Sequence, residues 1–227
     1  MLRRPLLRRL AYLRRNRCSA LLAALCLFIL VDPLLSGSAV GLSFLRFATL
    51  AILFLAVWAL RVRRLAVWTV AALALVTAQL ILADRLGEHW LRPAGFIAVA
   101  AFMGAVTIAL LLYVLDRRSI TTDKVFGAVA AYVLIAFTFA SLFTLLQFFQ
   151  SDAFTAAVAN EPDGRLDWPD MMYFSFTVLT STGFGEITPV TKMARSLIVI
   201  EQVLGVMYVA FLIARLANLY GTSRRAD

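Results

Sequence analysis

Cysteine and histidine are nearly missing from this 227-residue chain, with two of the first and one of the second. Cys18 and Cys26 share one apolar run, eight residues apart, and cannot bridge each other on a single helix. That excludes a disulfide framework, and the scarcity of ligand residues argues against a resident metal site or cofactor. His89, in a short connection between apolar runs, reads as a solvated loop residue. Charge is scarce too. Charged residues make up 15% of the chain and hydrophobic ones 62%, and the mean hydropathy of +0.87 excludes a soluble globular domain. Acids (13) are fewer than bases (22), which leaves a net charge of +9. In a soluble protein that balance would suggest nucleic acid. Here the arginines gather at the ends of apolar runs, where membrane topology accounts for them, so no nucleic-acid partner is expected.

What the chain has in abundance is apolar stretches of spanning length. Six are read: Cys18–Leu35, Leu42–Leu60, Leu65–Ala83, Ala94–Leu115, Val125–Gln150 and Met193–Tyr220. A helix needs about 20 residues to cross the hydrocarbon core, so the first, interrupted at Asp32-Pro33, is the weakest of the six. Arg3, Arg4, Arg8, Arg9, Arg14, Arg15 and Arg17 precede it with no acid among them, which places the N-terminus in the cytoplasm. The connections carrying Arg61, Arg63 and Arg64, then Arg117, Arg118 and Lys124, fall on the same side, as does the tail with Arg224 and Arg225. The opposite connections carry Asp32, then Asp84 and Glu88, then Asp152, Glu161, Asp163 and Asp167. A basic start followed by an apolar run also fits a secretory signal, but no small-residue cleavage site is evident and five further spans follow. Leu2, Leu6, Leu10 and Leu13 share one helical face among the arginines. That pattern suits a helix lying in the interface on anionic lipid; a disordered basic tail that only sets topology is the other reading.

Between the last two spans lies Trp168–Thr180, apolar and too short to cross but long enough for a re-entrant helix. Pro169 and Asp170 suit its start. Directly after it come Ser181-Thr182-Gly183-Phe184-Gly185. Irregular backbone at membrane depth is tolerated only when buried in protein or lining a watery cavity. The glycines permit left-handed torsions, which residues carrying a Cβ resist, so successive carbonyls can be turned the same way. Those carbonyls, with the Ser181 hydroxyl, can replace a cation's hydration shell.

The run from Trp168 to Pro189, W-P-D-M-M-Y-F-S-F-T-V-L-T-S-T-G-F-G-E-I-T-P, resembles the pore loop of bacterial potassium channels of the two-transmembrane-pore superfamily. Relative to the usual filter, Ser181 replaces threonine, Thr182 replaces valine or isoleucine, Phe184 replaces tyrosine and Glu186 replaces aspartate. The likeness is specific over Trp168–Tyr220, extends to Ile120–Phe149, and before that rests on topology. It implies four identical chains around one axis, with potassium ions at the carbonyls of Ser181, Thr182, Gly183, Phe184 and Gly185. It further implies that Phe174 packs behind the filter, and that Thr177, Thr180 and Glu186 support the filter and its mouth. Thr177 stands where the family can place a carboxylate, and Phe184 has no hydroxyl. The outer half of the filter is therefore expected to depend on packing more than on hydrogen bonds. Gly205, 22 residues after Gly183, matches the hinge glycine of the inner helix, although glycine also serves close packing.

Glu201, one turn before Gly205, is an acid inside a span, and such a group faces a cavity or a partner. The watery vestibule and polar groups such as Thr177 are the candidates, with a structural role favoured. Arg215 lies near the inner end and can snorkel to the headgroups. The fourth span has neither arginine nor lysine, and Arg46 is a single charge in the second, so steep voltage gating is not expected. After Tyr220 only Gly221–Asp227 follow, and no cytosolic gating domain is expected.

The reading is an all-α membrane protein of six transmembrane helices, with a re-entrant pore helix and selectivity filter between the fifth and sixth. Its parts are a basic segment over 1–17, a four-helix membrane region over 18–118, a pore region over 119–220 and a short tail over 221–227. The expected function is a homotetrameric potassium-selective channel, not an enzyme, in a bacterial inner membrane with both termini cytoplasmic. The alternatives are a non-selective monovalent cation channel, a transporter subunit, for which no internal repeat is found, and a non-conducting channel-like interaction protein.

Overall fold

The computed structural model describes residues 17–35, 51–52, 54–56, 91–116, 121–156 and 166–223. Among the described residues the elements run in the order α1 (Arg17–Leu35), α2 (Leu91–Leu115), α3 (Thr122–Phe149), β1 (Phe154–Ala156), α4 (Trp168–Leu179), β2 (Ile187–Pro189) and α5 (Lys192–Ser223). Apart from the helical residues 51–52 and 54–56, the second and third expected spans lie outside the described residues. So do Arg46, His89 and the segment before Arg17. Among the described residues, three helical stretches are long and apolar enough to cross a membrane: Ile97–Leu115, Thr122–Phe149 and Lys192–Arg215. The expected interruption at Asp32-Pro33 does not end α1, which continues to Leu35. A residue lacking an N–H so close to a helix end removes little more than one intrahelical bond.

The chain packs as two units, Met1–Thr138 and Phe139–Asp227, and α3 contributes its length to both. In the first unit, Leu21, Leu25, Val106, Leu110 and Leu134 are fully buried. Phe28 meets Phe137 edge to face at 5.7 Å. A hydroxyl in such surroundings needs a partner, and Thr107 and Thr138 donate to their own helix at Met103 and Leu134. Where α3 begins, Asp123 accepts the backbone N–H of Cys18 at 2.8 Å and the Tyr113 hydroxyl at 3.0 Å. Lys124 is buried nearby, with Nζ donating to the Asp116 carbonyl at 3.0 Å.

In the second unit the core is aromatic. Phe143 of α3, Phe154 of β1 and Phe174 of α4 form a triangle with centroid separations of 5.4, 5.4 and 5.6 Å. Tilted and edge-on pairs of this kind add about 0.5–1.5 kcal/mol each beyond burial. The fold is mostly helical, yet β1 and β2 pair antiparallel with Phe154 opposite Pro189 and Ala156 opposite Ile187. An all-α expectation missed this pair because three residues cannot display a period of two. Gln147 braces the turn before β1, donating to the Ser151 carbonyl and accepting the Phe154 N–H.

Candidate functional site

The site begins with the start of α4. Asp167 caps it: its carboxylate accepts the Asp170 N–H at 3.3 Å, and the Asp170 carboxylate accepts the Asp167 N–H at 2.7 Å. A reciprocal capping box of this kind contributes about 1 kcal/mol. The D-x-x-D spacing of Asp167 and Asp170 before an apolar run is the signal in the sequence for this cap. Met171, Met172, Phe174, Ser175, Thr177, Val178 and Leu179 are buried, which leaves α4 little freedom to rotate.

At the other end, the chain leaves α4 with its N–H groups turned back. Thr180 N–H donates to Phe176 O at 3.1 Å and Ser181 N–H to Val178 O at 2.9 Å. Thr182 and Gly183 N–H both reach the Thr177 carbonyl, at 2.9 and 3.2 Å. The φ angles of Ser181, Gly183 and Gly185 are 56°, 57° and 84°, so every second residue of the run is left-handed. Alternation of left- and right-handed torsions faces successive peptide groups the same way. With the first amides committed to α4, no carbonyl of Ser181–Gly185 accepts a hydrogen bond among the described residues. Those residues are all exposed. Gly183 and Gly185 hold torsions that suit glycine, whereas Ser181 does so despite its Cβ, a strain of about 1–2 kcal/mol. The Thr180 hydroxyl lies 2.8 Å from that of Thr182 and also donates to Phe176 O. The C-terminal end of α4, with its partial negative charge, abuts the run.

Around this run the other expected residues take definite places. Phe174 lies in the aromatic triangle and is buried. The Thr177 hydroxyl donates to the Phe174 carbonyl at 2.8 Å and is thereby spent on its own helix. Glu201 takes its hydrogen bond from Ser175, not from Thr177. Its second oxygen, Oε2, has no partner among the described residues, although the side chain is fully buried. Gly205 is packed against the end of α4, where an added Cβ would run into the Leu179 carbonyl oxygen. Glu186 accepts the Tyr173 hydroxyl at 2.6 Å, and the Tyr173 ring lies parallel to that of Phe184, 3° apart with centroids at 6.5 Å. The hydrogen bond to Glu186, then desolvation and the repulsion of that carboxylate, raise the Tyr173 phenol above the ordinary tyrosine value. Beside the stacking on Phe184, the residue just after the run thus takes a hydrogen bond, where packing more than hydrogen bonding was expected. Its donor, Tyr173, sits 13 residues before its acceptor, a distance at which no local periodicity reports.

What this arrangement offers chemically is a short row of unclaimed carbonyls at the negative end of a helix, which is a cation's environment. Among the described residues, no cluster of three histidine, cysteine or carboxylate side chains is placed to hold a metal ion. No solved structure matches the chain. The chain is 25% identical over 130 residues to Protein LctB of Geobacillus stearothermophilus, an alignment covering 57% of this chain and 95% of that protein. Residues 131–221 match the family described as Ion channel, and with the apolar helices that match supports a membrane protein of the ion channel superfamily.

Proposed function

We propose that four copies of this chain form a potassium-selective channel, which conducts potassium passively through the carbonyls of Ser181, Thr182, Gly183, Phe184 and Gly185. The observation that carries the reading is the alternation of left-handed φ at Ser181, Gly183 and Gly185, with the carbonyls of the run unclaimed. One chain supplies one row of carbonyls, and replacing a hydration shell takes a ring of them. The surface of α5 favours such a ring. Val199, Ile200, Val203, Leu204, Val206 and Met207 are exposed along it, more apolar surface than a membrane-lining helix needs on one side. Four-fold symmetry would share that surface between neighbouring copies, lipid and the pore. The membrane is a bacterial inner membrane, with both termini cytoplasmic and anionic lipid at the N-terminal arginines.

A second reading, a channel that passes sodium as well, draws support from the Thr180–Thr182 hydroxyl contact of 2.8 Å. Hydroxyls at this point offer ligands that a valine or isoleucine would not. Flux into vesicles decides between them. Purified protein should carry rubidium far faster than sodium. Equal rates establish the non-selective reading, and the absence of either flux from an assembled oligomer leaves a non-conducting interaction protein.

A further inference from the structure

Among the contacts of helices α4 and α5, two pairs recur with the same spacing on each helix. Ser175 Oγ donates to Glu201 Oε1, and both residues are 0% exposed. Four residues on, Leu179 approaches Gly205 so closely that a Cβ there would lie 3.0 Å from Leu179 Cδ1, besides striking the carbonyl. Residues four apart share one face of a helix. The pairs 175/201 and 179/205 are therefore two rungs on one pair of facing stripes, met in the same order on both helices. Between the rungs on α4 lies Thr177, whose carbonyl holds the amides of Thr182 and Gly183. Any rotation or sliding of α4 along α5 must carry that carbonyl, and with it the run of Ser181–Gly185.

A purely packed contact would need no acid. An ionisable side chain within a span is costly, and here one carboxyl oxygen is left without a partner. What the acid adds over a leucine is direction, because a hydrogen bond to Ser175 fixes the angle at which α4 presents its face, whereas apolar contacts slip. The hydroxyl and the acid form the polar rung; the glycine, by admitting a bare carbonyl, forms the close one. Ala194 and Ile198 continue the buried stripe of α5 toward its start, so the stripe itself does not move freely.

We propose that these two rungs act as one latch, by which α5 sets the rotation of α4 and so the register of the filter carbonyls. Glu201 is then a positioning residue for ion selection that touches no ion. This rests on the reading of Ser181–Gly185 as a filter, and the experiment separates the two. Rubidium and sodium uptake are measured in vesicles for each variant, per assembled oligomer. Wild-type protein lacking selective rubidium uptake overturns the filter reading, and this proposal with it.

Given a selective wild type, Ser175→Ala and Glu201→Ala are each expected to lower the rubidium-to-sodium ratio about tenfold, the factor that a single buried hydrogen bond represents in an equilibrium. Glu201→Gln keeps an oxygen that can accept from Ser175 and is expected to hold the ratio within about twofold. Gly205→Ala attacks the second rung and should lower the ratio similarly. Combined with Ser175→Ala it should do little more than the stronger single change, since contacts in one unit do not add. Where an alanine prevents assembly, Ser175→Cys supplies a similar-sized side chain with a weaker donor and is expected to show a partial loss. A wild-type ratio in assembled Ser175→Ala or Ser175→Cys, or equal losses in the Gln and Ala variants at Glu201, overturns the latch.

Discussion

Tyr173 and Glu186 close a 2.6 Å hydrogen bond from the flank of α4 to the residue just beyond Gly185. The same tyrosine lies parallel to Phe184. One side chain thus braces Phe184 by stacking and Glu186 by donation.

Tyr173→Phe removes the donor and keeps the ring. Single-channel recordings should then show shorter conducting bursts with unchanged unitary current, since the ion path itself is untouched. A burst length equal to that of the wild type would show that the bond does not brace the mouth. The pH dependence follows from the raised phenol. A neutral phenol is favoured in the folded state, so the bond is complete below the ordinary tyrosine value of about 10 and fails as pH rises through the higher folded value. Wild-type bursts should be steady through neutral pH and shorten only in strong alkali, while the Phe variant shows no such step.

Gly183→Ala meets no atom within 4 Å of the new Cβ, so the substitution has room. Its cost is torsional, about 1–2 kcal/mol for holding φ near +57° with a Cβ present. The variant should fold and assemble yet lose rubidium uptake as the carbonyls turn away. Selective conduction by an assembled Ala variant would remove Gly183 from the ion path.

Helix α2 holds no lysine or arginine between Ile97 and Leu115. With each charge that crosses the field worth about 2.3 kcal/mol per 100 mV, a helix without charges supplies none of that work. Open probability should vary only weakly with voltage. A measured gating charge near the roughly 12–16 of a full sensor tetramer would contradict this.

Asp123 lies in the first turn of α3 and also accepts the Cys18 N–H in the first turn of α1, so one carboxylate serves two helix starts. Both ends carry partial positive charge that an anion stabilises. Asp123→Ala also removes one acceptor of the Tyr113 hydroxyl and should cost about 1 kcal/mol. Asp123→Asn, with one acceptor oxygen left, should fall between. Thermal unfolding in detergent gives the order, and an unchanged midpoint in the Ala variant would show that solvent replaces the carboxylate fully.

The left-handed backbone of the run Ser181–Gly185 was legible in part because its demand is carried by residue type: Gly183 and Gly185 announce it. Ser181 did not announce its own, since a serine in that place reads first as a hydroxyl ligand. The short helix before the run was legible from its length, its proline and its acid. The partner of Glu201 was not. Ser175 and Thr177 are both polar residues of α4, and which of them meets the acid depends on how two helices cross, which neither periodicity records. Phe154 and Asp123 escaped for the same reason. Their partners lie in other elements, 105 residues away for the pair of Cys18 and Asp123. The sequence reading offered Gly205 as hinge or as packing glycine, and the contact with Leu179 supplies the physical reason for the second.

The pairing of β1 with β2 bears on how the outer face can change. Register contacts from Phe154–Pro189 to Ala156–Ile187 fasten the chain just before residue 157, and the Asp167–Asp170 cap fastens it again at α4. Whatever joins these two anchors adds to the closure cost only as the logarithm of its length, about 0.6 kcal/mol per doubling. An epitope or a toxin-binding graft inserted there would be carried by the strand pair, not by the carbonyl run. The strand pair and the cap are in this sense two fixed posts, between which length can change while the carbonyl run keeps its own anchors on α4.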